Sequence, residues 1–227
     1  KLASAQPVNV ISQNTEHINN TTIETGYKVS KGIFQPDDKN LKVIQGLVAP
    51  KNKKGFRRFL GLIGLYRRFI PNFAQKALPL TQLSKDKVPF YWSQEAQEAF
   101  DILKSELLNE PILTLSNFNN PFSLCTDASN YALSAVLCQE DSNGFQHRIC
   151  YASRKLKGPE TRYSTVEREI LAVVWATPHF RQYLLGKTFT VYSNQASLSH
   201  VLKLKNPTSR IARWIMGLSQ FDYKIVH

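Results

Sequence analysis

Between residues 121 and 156 three strand-like runs follow one another: PFSLCTDASN, YALSAVLCQE and HRICYASRKL. Each mixes apolar, β-branched and small residues over the length of a strand. The first two are joined tightly around Asn130, which leaves room only for a hairpin. A long amphipathic pattern then runs from Ser164 to about Leu184, with Pro178 as an expected kink. A fourth strand, TFTVYS, comes after it. Two short helical stretches are expected around Ser197–Leu204 and Arg210–Leu218, and FDYKIV reads as a last strand. The order β-β-β-α-β-α-α-β implies a mixed sheet with helices packed against it, an α/β class.

The chain before this block is more helical. Residues 1–25 (ending NVISQNTEHINNTTIET) are polar and without a clear period, and read as a tail expected to be disordered. GYKVSKGIFQPDDKN is a strand-and-turn pattern, and Asp37-Asp38 after Pro36 reads as a turn. In KNKKGFRRFLGLIGLYRRFI, Phe56, Phe59, Leu60 and Ile63 recur at helical spacing, and Pro71 is expected to end the helix. Lys51, Lys53, Lys54, Arg57, Arg58, Arg67 and Arg68 surround that apolar face. The plain reading is a solvated helix in a basic protein; the sharper one is a basic rim that tracks phosphates. A second helix starts at Ser93, a good N-cap, lines Ala96, Phe100, Leu103 and Leu107 on one face, and is expected to close at Pro111.

Charge narrows the partners. Lys plus Arg number 29 against 17 Asp plus Glu, a formal charge of +12 and a pI near 9.7. That excess favours an anionic partner, nucleic acid before an acidic membrane. No apolar run reaches the length of a membrane span and no signal peptide opens the chain, so an intracellular location, cytoplasmic or nuclear, is expected. Cys125, Cys138 and Cys150 have no metal-type spacing and fall in strand-like runs, as buried thiols in a reducing compartment would.

Two acids stand out by position. Asp127 ends the first strand of the block, where an Asp is ordinarily a turn former. Glu169 falls on or beside the apolar face of the long helix formed by Val166, Ile170, Val173 and Val174, while Glu167 points away. An acid beside a buried face is costly unless something pairs with it, and a metal ion is one such partner. His179 and His200 are readable as bases, but packing or surface roles suit their settings better. Arg210, Arg213 and Trp214 suit a substrate-facing basic helix, although Trp214 also suits the core. Arg154 and Tyr163 lie near the same end in motif order.

The phrases RRFLGLIGLYRRFI, FYWSQEAQEAFDILKSEL, FSLCTDASNYALSAVLCQ, CYASRKL, YSTVEREILAVVWA, FRQYLLGKTFTVYS and RIARWIMGLSQFDYKI resemble, in order, the Pol polyprotein of gypsy-type LTR retrotransposons. The resemblance runs from near Gly26 to the last residue. It implies a distal reverse transcriptase segment (palm end, thumb and connection) over residues 26–116. It implies a ribonuclease H-like domain with a mixed five-stranded sheet over residues 117–227. In that family the domain cuts the RNA strand of an RNA–DNA hybrid with Mg²⁺ held by four carboxylates. Asp127 in TDAS and Glu169 in EREILAVV match the first two, and so are the expected metal ligands. Asn194 in Ser193-Asn194-Gln195 stands where the third, an Asp, is expected. The fourth belongs to an A-D-x-L-S-R-like segment beyond the last residue, His227, and no Y-x-D-D-like polymerase motif occurs.

The resemblance therefore implies a fragment of a reverse transcriptase/ribonuclease H polyprotein, with the rest of Pol as a possible partner. Catalysis is expected to be defective, with Asp127, Glu169 and Asn194 in the catalytic positions and Mg²⁺ binding weakened. Lys53, Lys54, Arg57, Arg58, Arg67, Arg68, Arg210 and Arg213 are the expected nucleic-acid contacts, to hybrid or duplex. The alternatives are a degenerate or domesticated binding module without catalysis, or an inert relic. Loss of the family's final helix is expected to expose an apolar face and leave the isolated chain marginally stable.

Overall fold

A computed structural model describes residues 22–24, 26–84, 89–109, 112–194, 198–201 and 208–227. In chain order the elements are β1 (Thr22–Glu24), β2 (Tyr27–Ser30), β3 (Ile33–Pro36), α1 (Asp38–Gln45) and α2 (Lys53–Leu65). Then come α3 (Phe73–Lys76), α4 (Leu78–Leu83), α5 (Gln94–Leu108), β4 (Leu113–Thr114), β5 (Phe122–Ala128), β6 (Ala132–Glu140) and β7 (Gln146–Lys155). The chain continues as α6 (Thr165–His179), α7 (Arg181–Leu184), β8 (Thr188–Ser193), α8 (Leu198–Val201), α9 (Ser209–Leu218) and β9 (Asp222–Val226).

The expected β-β-β-α-β-α-α-β block is present. Its sheet has the order β7-β6-β5-β8-β9. Strands β5, β6 and β7 pair antiparallel, whereas β8 and β9 run parallel to β5. Parallel pairing needs a crossover, which α6 supplies between β7 and β8. Ser164 caps α6 by accepting from the Glu167 amide at 3.2 Å, and the Glu167 carboxylate accepts the Ser164 amide in return at 2.9 Å. The helix runs one residue past Pro178 and gives way at Phe180 to α7, as a missing amide donor dictates. Ile170, Val173 and Ala176 pack onto Phe122, Leu124, Phe189 and Val191 in one core.

The first part of the chain forms a smaller antiparallel sheet, β1-β2-β3-β4, and a set of helices. Lys31 and Gly32 make the two-residue β2–β3 turn with φ of 48° and 77°, a left-handed pair that glycine eases. Three expectations are corrected here. Residues 22–24, read as tail, form a strand because they find a partner in Tyr27–Val29; residues 1–21 and 25 lie outside the described set. Asp37-Asp38 is not a turn: Asp37 is the N-terminal flank of α1 and Asp38 sits in its first turn, where a carboxylate suits the helix dipole. Helix α2 stops at Tyr66, well before Pro71, and continues as a short 3-10 turn over Arg67–Phe69 that buries Phe69 and leads to buried Ile70.

Phe56, Phe59 and Ile63 of α2 are buried as their spacing predicts, with Leu60 packed beside them. Ser93 caps α5, and Ala96, Phe100, Leu103 and Leu107 face inward; Pro111 lies outside the described residues. The two parts share one contiguous core, from Phe34 and Phe59 through Leu107 to Leu124 and Val191. Ser153 of β7 ties them further. Its hydroxyl accepts the Ala74 amide at 2.9 Å and its carbonyl accepts Arg67 Nη2 at 2.6 Å. Ser153→Ala strands the Ala74 amide in a buried setting, which costs about 1–3 kcal/mol. We expect a lower Tm, read by thermal denaturation, with one transition for both parts; two separated transitions would contradict the shared core.

Candidate functional site

The site is built at one end of the larger sheet. β5 and β8 are parallel neighbours with Thr126 opposite Ser193. Asp127 is the next residue of β5, and Asn194 is the first residue past the end of β8. β9 ends there too, with Tyr192 opposite Val226, and His227 Nε2 lies 3.2 Å from the Asn194 carbonyl. The ends of parallel strands, where the chain reverses sides around β5, are where open sheets of this kind place ligands.

Helix α6 contributes the second acid. Glu169 is buried, 6% exposed, one and a half turns into the helix. Burial pushes its carboxyl up to about 7 and the neighbouring Asp127 charge adds to this, opposed by the Ala128 amide and by Arg168. Its Oε2 is buried without a hydrogen-bond partner. Asp127 itself is exposed. An unpartnered buried oxygen beside a second carboxylate is a poor resting arrangement for protein alone and a good one for a hard divalent cation. Among the described residues, however, no three His, Cys, Asp or Glu side chains converge. Asp127 and Glu169 could thus hold one cation whose remaining positions water or substrate oxygens fill.

Sequence reasoning missed Arg168. Its guanidinium donates to Asn130 Oδ1 at 2.5 Å, with the Ser129 carbonyl at 3.4 Å, so it fastens α6 to the β5–β6 turn. The two carboxylates are thereby fixed relative to one another. Only the alternation Glu167-Arg168-Glu169 beside a hairpin Asn hinted at it.

The expected basic contacts divide. Lys54, Arg57 and Arg58 are exposed on α2 and Lys53 is half-buried there. Arg67 binds the Ser153 carbonyl, and Arg68 lies over the Phe34 ring at 4.9 Å, so both engage the protein's own groups. Arg210 pairs with Glu167 at 2.8 Å and stacks on Tyr163 at 4.1 Å, while Arg213 is exposed. The Ser164 amide bond, helped by Arg210, holds the Glu167 carboxyl below the usual range. Trp214 packs beside Tyr163 on a small core of Leu133, Leu171 and Ala172. Arg154 pairs with Glu160 at 2.6 Å and is structural. His179 sits between the Trp175 and Phe180 rings, a packing role; the His200 side chain and Gln195 lie outside the described residues. No described helix is long and apolar enough to cross a membrane.

Fold and site together define a ribonuclease H-like domain. Residues 92–191 match the family model of the RNase H-like domain found in reverse transcriptase, a match that starts inside the helical part, ahead of residue 117. The chain is 41% identical over 201 residues, 88% of its length, to a retrovirus-related Pol polyprotein from transposon 412 of Drosophila melanogaster. It is 31% identical over 204 residues to the transposon Tf2-3 polyprotein of Schizosaccharomyces pombe. It spans only 16% and 15% of those polyproteins. A foamy viral protease-reverse transcriptase in complex with RNA/DNA hybrid shares the fold, with a TM-score of 0.75 and 21% identity over 90% of this chain and 28% of that one. The chain is similar to retrotransposon Pol polyproteins, with the RNase H-like match at residues 92–191.

The Glu169 environment sets a pH dependence. The folded carboxyl, at about 7, lies above its ordinary 4.5. Above pH 7 the folded state bears the full cost of the buried charge. As pH falls towards 4.5 the folded carboxyl takes up a proton that the unfolded chain does not yet hold, and stability returns. Glu169→Gln in EDTA is expected to melt higher than the native chain at pH 8, by about 1–3 kcal/mol. That gain should shrink towards pH 4.5; an equal offset at both pH values would mean that the carboxyl is not perturbed.

Proposed function

We propose that the chain is the ribonuclease H-like part of a gypsy-type Pol polyprotein that engages RNA–DNA hybrid or duplex and is impaired in cutting it. The observation that carries this reading is the parallel register that brings the ends of β5 and β8 together, with Asp127 beside the buried Glu169 and Asn194 just past the end of β8. Mg²⁺, when bound at Asp127 and Glu169, would neutralise charge developing on a phosphoryl group and lower the pKa of a bound water. The chain's own contribution is to hold the two carboxylates at the strand ends, through Arg168 and the shared core. Asn194 offers a neutral amide oxygen where a third anion would complete the charge. Its NH₂ group competes for the same direction. The site then carries two formal negative charges, too few to hold two close divalent ions tightly.

Binding needs less than cleavage. The charge of +12 supports salt-sensitive attachment to phosphates, and the exposed Lys54, Arg58 and Arg213 suit it. The hybrid named for the foamy viral neighbour is consistent with this class of ligand.

A labelled RNA–DNA hybrid with Mg²⁺ tests the reading. The native chain is expected to bind it, more weakly as salt rises, and to cut little or none. Asn194→Asp should raise Mg²⁺ affinity by at least the roughly 10–100-fold that an outer-shell partner is worth. In EDTA the added like charge should lower its Tm, and Mg²⁺ should restore it. Efficient native cleavage that is lost in Asp127→Asn would overturn the proposed impairment.

A further inference from the structure

Cys125 and Cys138 lie on adjacent strands of the larger sheet. Cys125 of β5 is opposite Val136, and Cys138 of β6 is opposite Ser123. The two cysteines are thus diagonal neighbours on one face of the sheet. Cys125 is half-buried and open to small reagents, whereas Cys138 is 5% exposed. The third thiol does not belong to the pair. Cys150 is opposite Leu137, hence on the other face, in the core against Ile170 and Val173.

We propose that Cys125 and Cys138 form a reversible oxidative modification site, closing to a disulfide when the chain meets a two-electron oxidant of the peroxide class. With hydrogen peroxide, Cys125 Sγ attacks one oxygen and the O–O bond breaks, giving a sulfenic acid and one water. Cys138 Sγ then attacks the Cys125 sulfur and the S–O bond breaks, releasing a second water. Two thiols are oxidised and one peroxide is reduced. Cys138, the diagonal neighbour on the same face, is placed to resolve the sulfenic acid before further oxidation.

Geometry also says why the bond would be reversible. Diagonal pairs in an antiparallel ladder sit about 7–8 Å apart at Cα, past the roughly 7 Å beyond which a disulfide closes only with backbone movement. The bulge beside this point places its extra residue, Ile149, on β7, while β5 and β6 keep a regular register, so closing the bond has to shift the backbone of both strands. A disulfide closed there is strained, and strained disulfides are the ones that thiols reduce readily.

The test uses the whole chain, treated with stoichiometric hydrogen peroxide and then digested without reduction for mass spectrometry. The expected product is a Cys125–Cys138 cross-link, 2 Da lighter than the paired thiols (about one hydrogen lost from each sulfur), that dithiothreitol reverses. Cys150 should stay a free thiol. In Cys138→Ser the cross-link should vanish and dimedone should trap a sulfenic acid on Cys125. In Cys125→Ser neither product should form. A native chain whose peroxide product is an unresolved sulfenic or sulfinic acid on Cys125, or a link through Cys150, overturns the proposal. So does a chain that peroxide leaves unchanged while iodoacetamide alkylates Cys125.

Discussion

The parallel pairing of β5 with β8 is the constraint on which the rest depends. Two parallel neighbours cannot be joined by a turn, so the chain must leave the sheet, cross it and return. The crossing is α6, and its apolar face is what closes the core over Leu124 and Val191. Because both strands point the same way, their last residues arrive at the same edge. The strand end that carries Asp127 and the one that leads into Asn194 therefore arrive together, and Glu169 reaches Asp127 because its helix must pass over the same strands. Nothing in the side chains themselves draws two carboxylates together; the burial of their apolar neighbours outweighs the repulsion.

That balance explains why Glu169 sits in an unfavourable state. A carboxyl with one buried, unpartnered oxygen would be removed by any pressure for stability alone. It stands at the edge of a well-packed helix, one residue from Ile170, which is fully buried. The helix cannot turn to release it without exposing Ile170 and Val173. The cost is thus fixed by packing, and the site's chemistry follows from what the packing refuses to relax.

Much of this was legible in the sequence, for identifiable reasons. The larger sheet and α6 were visible because strand alternation and a capped, apolar-faced helix are local patterns. The burial of Phe56, Phe59 and Ile63, and of Phe100 and Leu107, followed from spacing alone. What failed depended on partners distant in sequence. Residues 22–24 are too short a run to declare a strand by themselves and become one because Tyr27–Val29 turns back on them. Asp37-Asp38 after Pro36 carries the same residues whether it makes a turn or opens a helix. At the site, motif position gave Asp127, Glu169 and Asn194, but Arg168 was invisible. Its partner, Asn130, is 38 residues away, and only the fold brings them to hydrogen-bond distance. Likewise Arg67 and Arg68 read as surface cations until β7 and Phe34 supplied their inward contacts.

The shared core has a mechanical consequence. Among the described residues one unbroken interior joins the helices that precede the sheet to the strands beside the two acids. Ser153 pins the junction at two points, to Ala74 and to Arg67. A long polymer gripped by the exposed cations of α2 would therefore be presented to Asp127 and Glu169 at a set distance along its length. On the proposed reading the molecule would act as a ruler, its graduation written by the packing of Phe59, Leu107 and Leu124 rather than by any residue that touches the ligand.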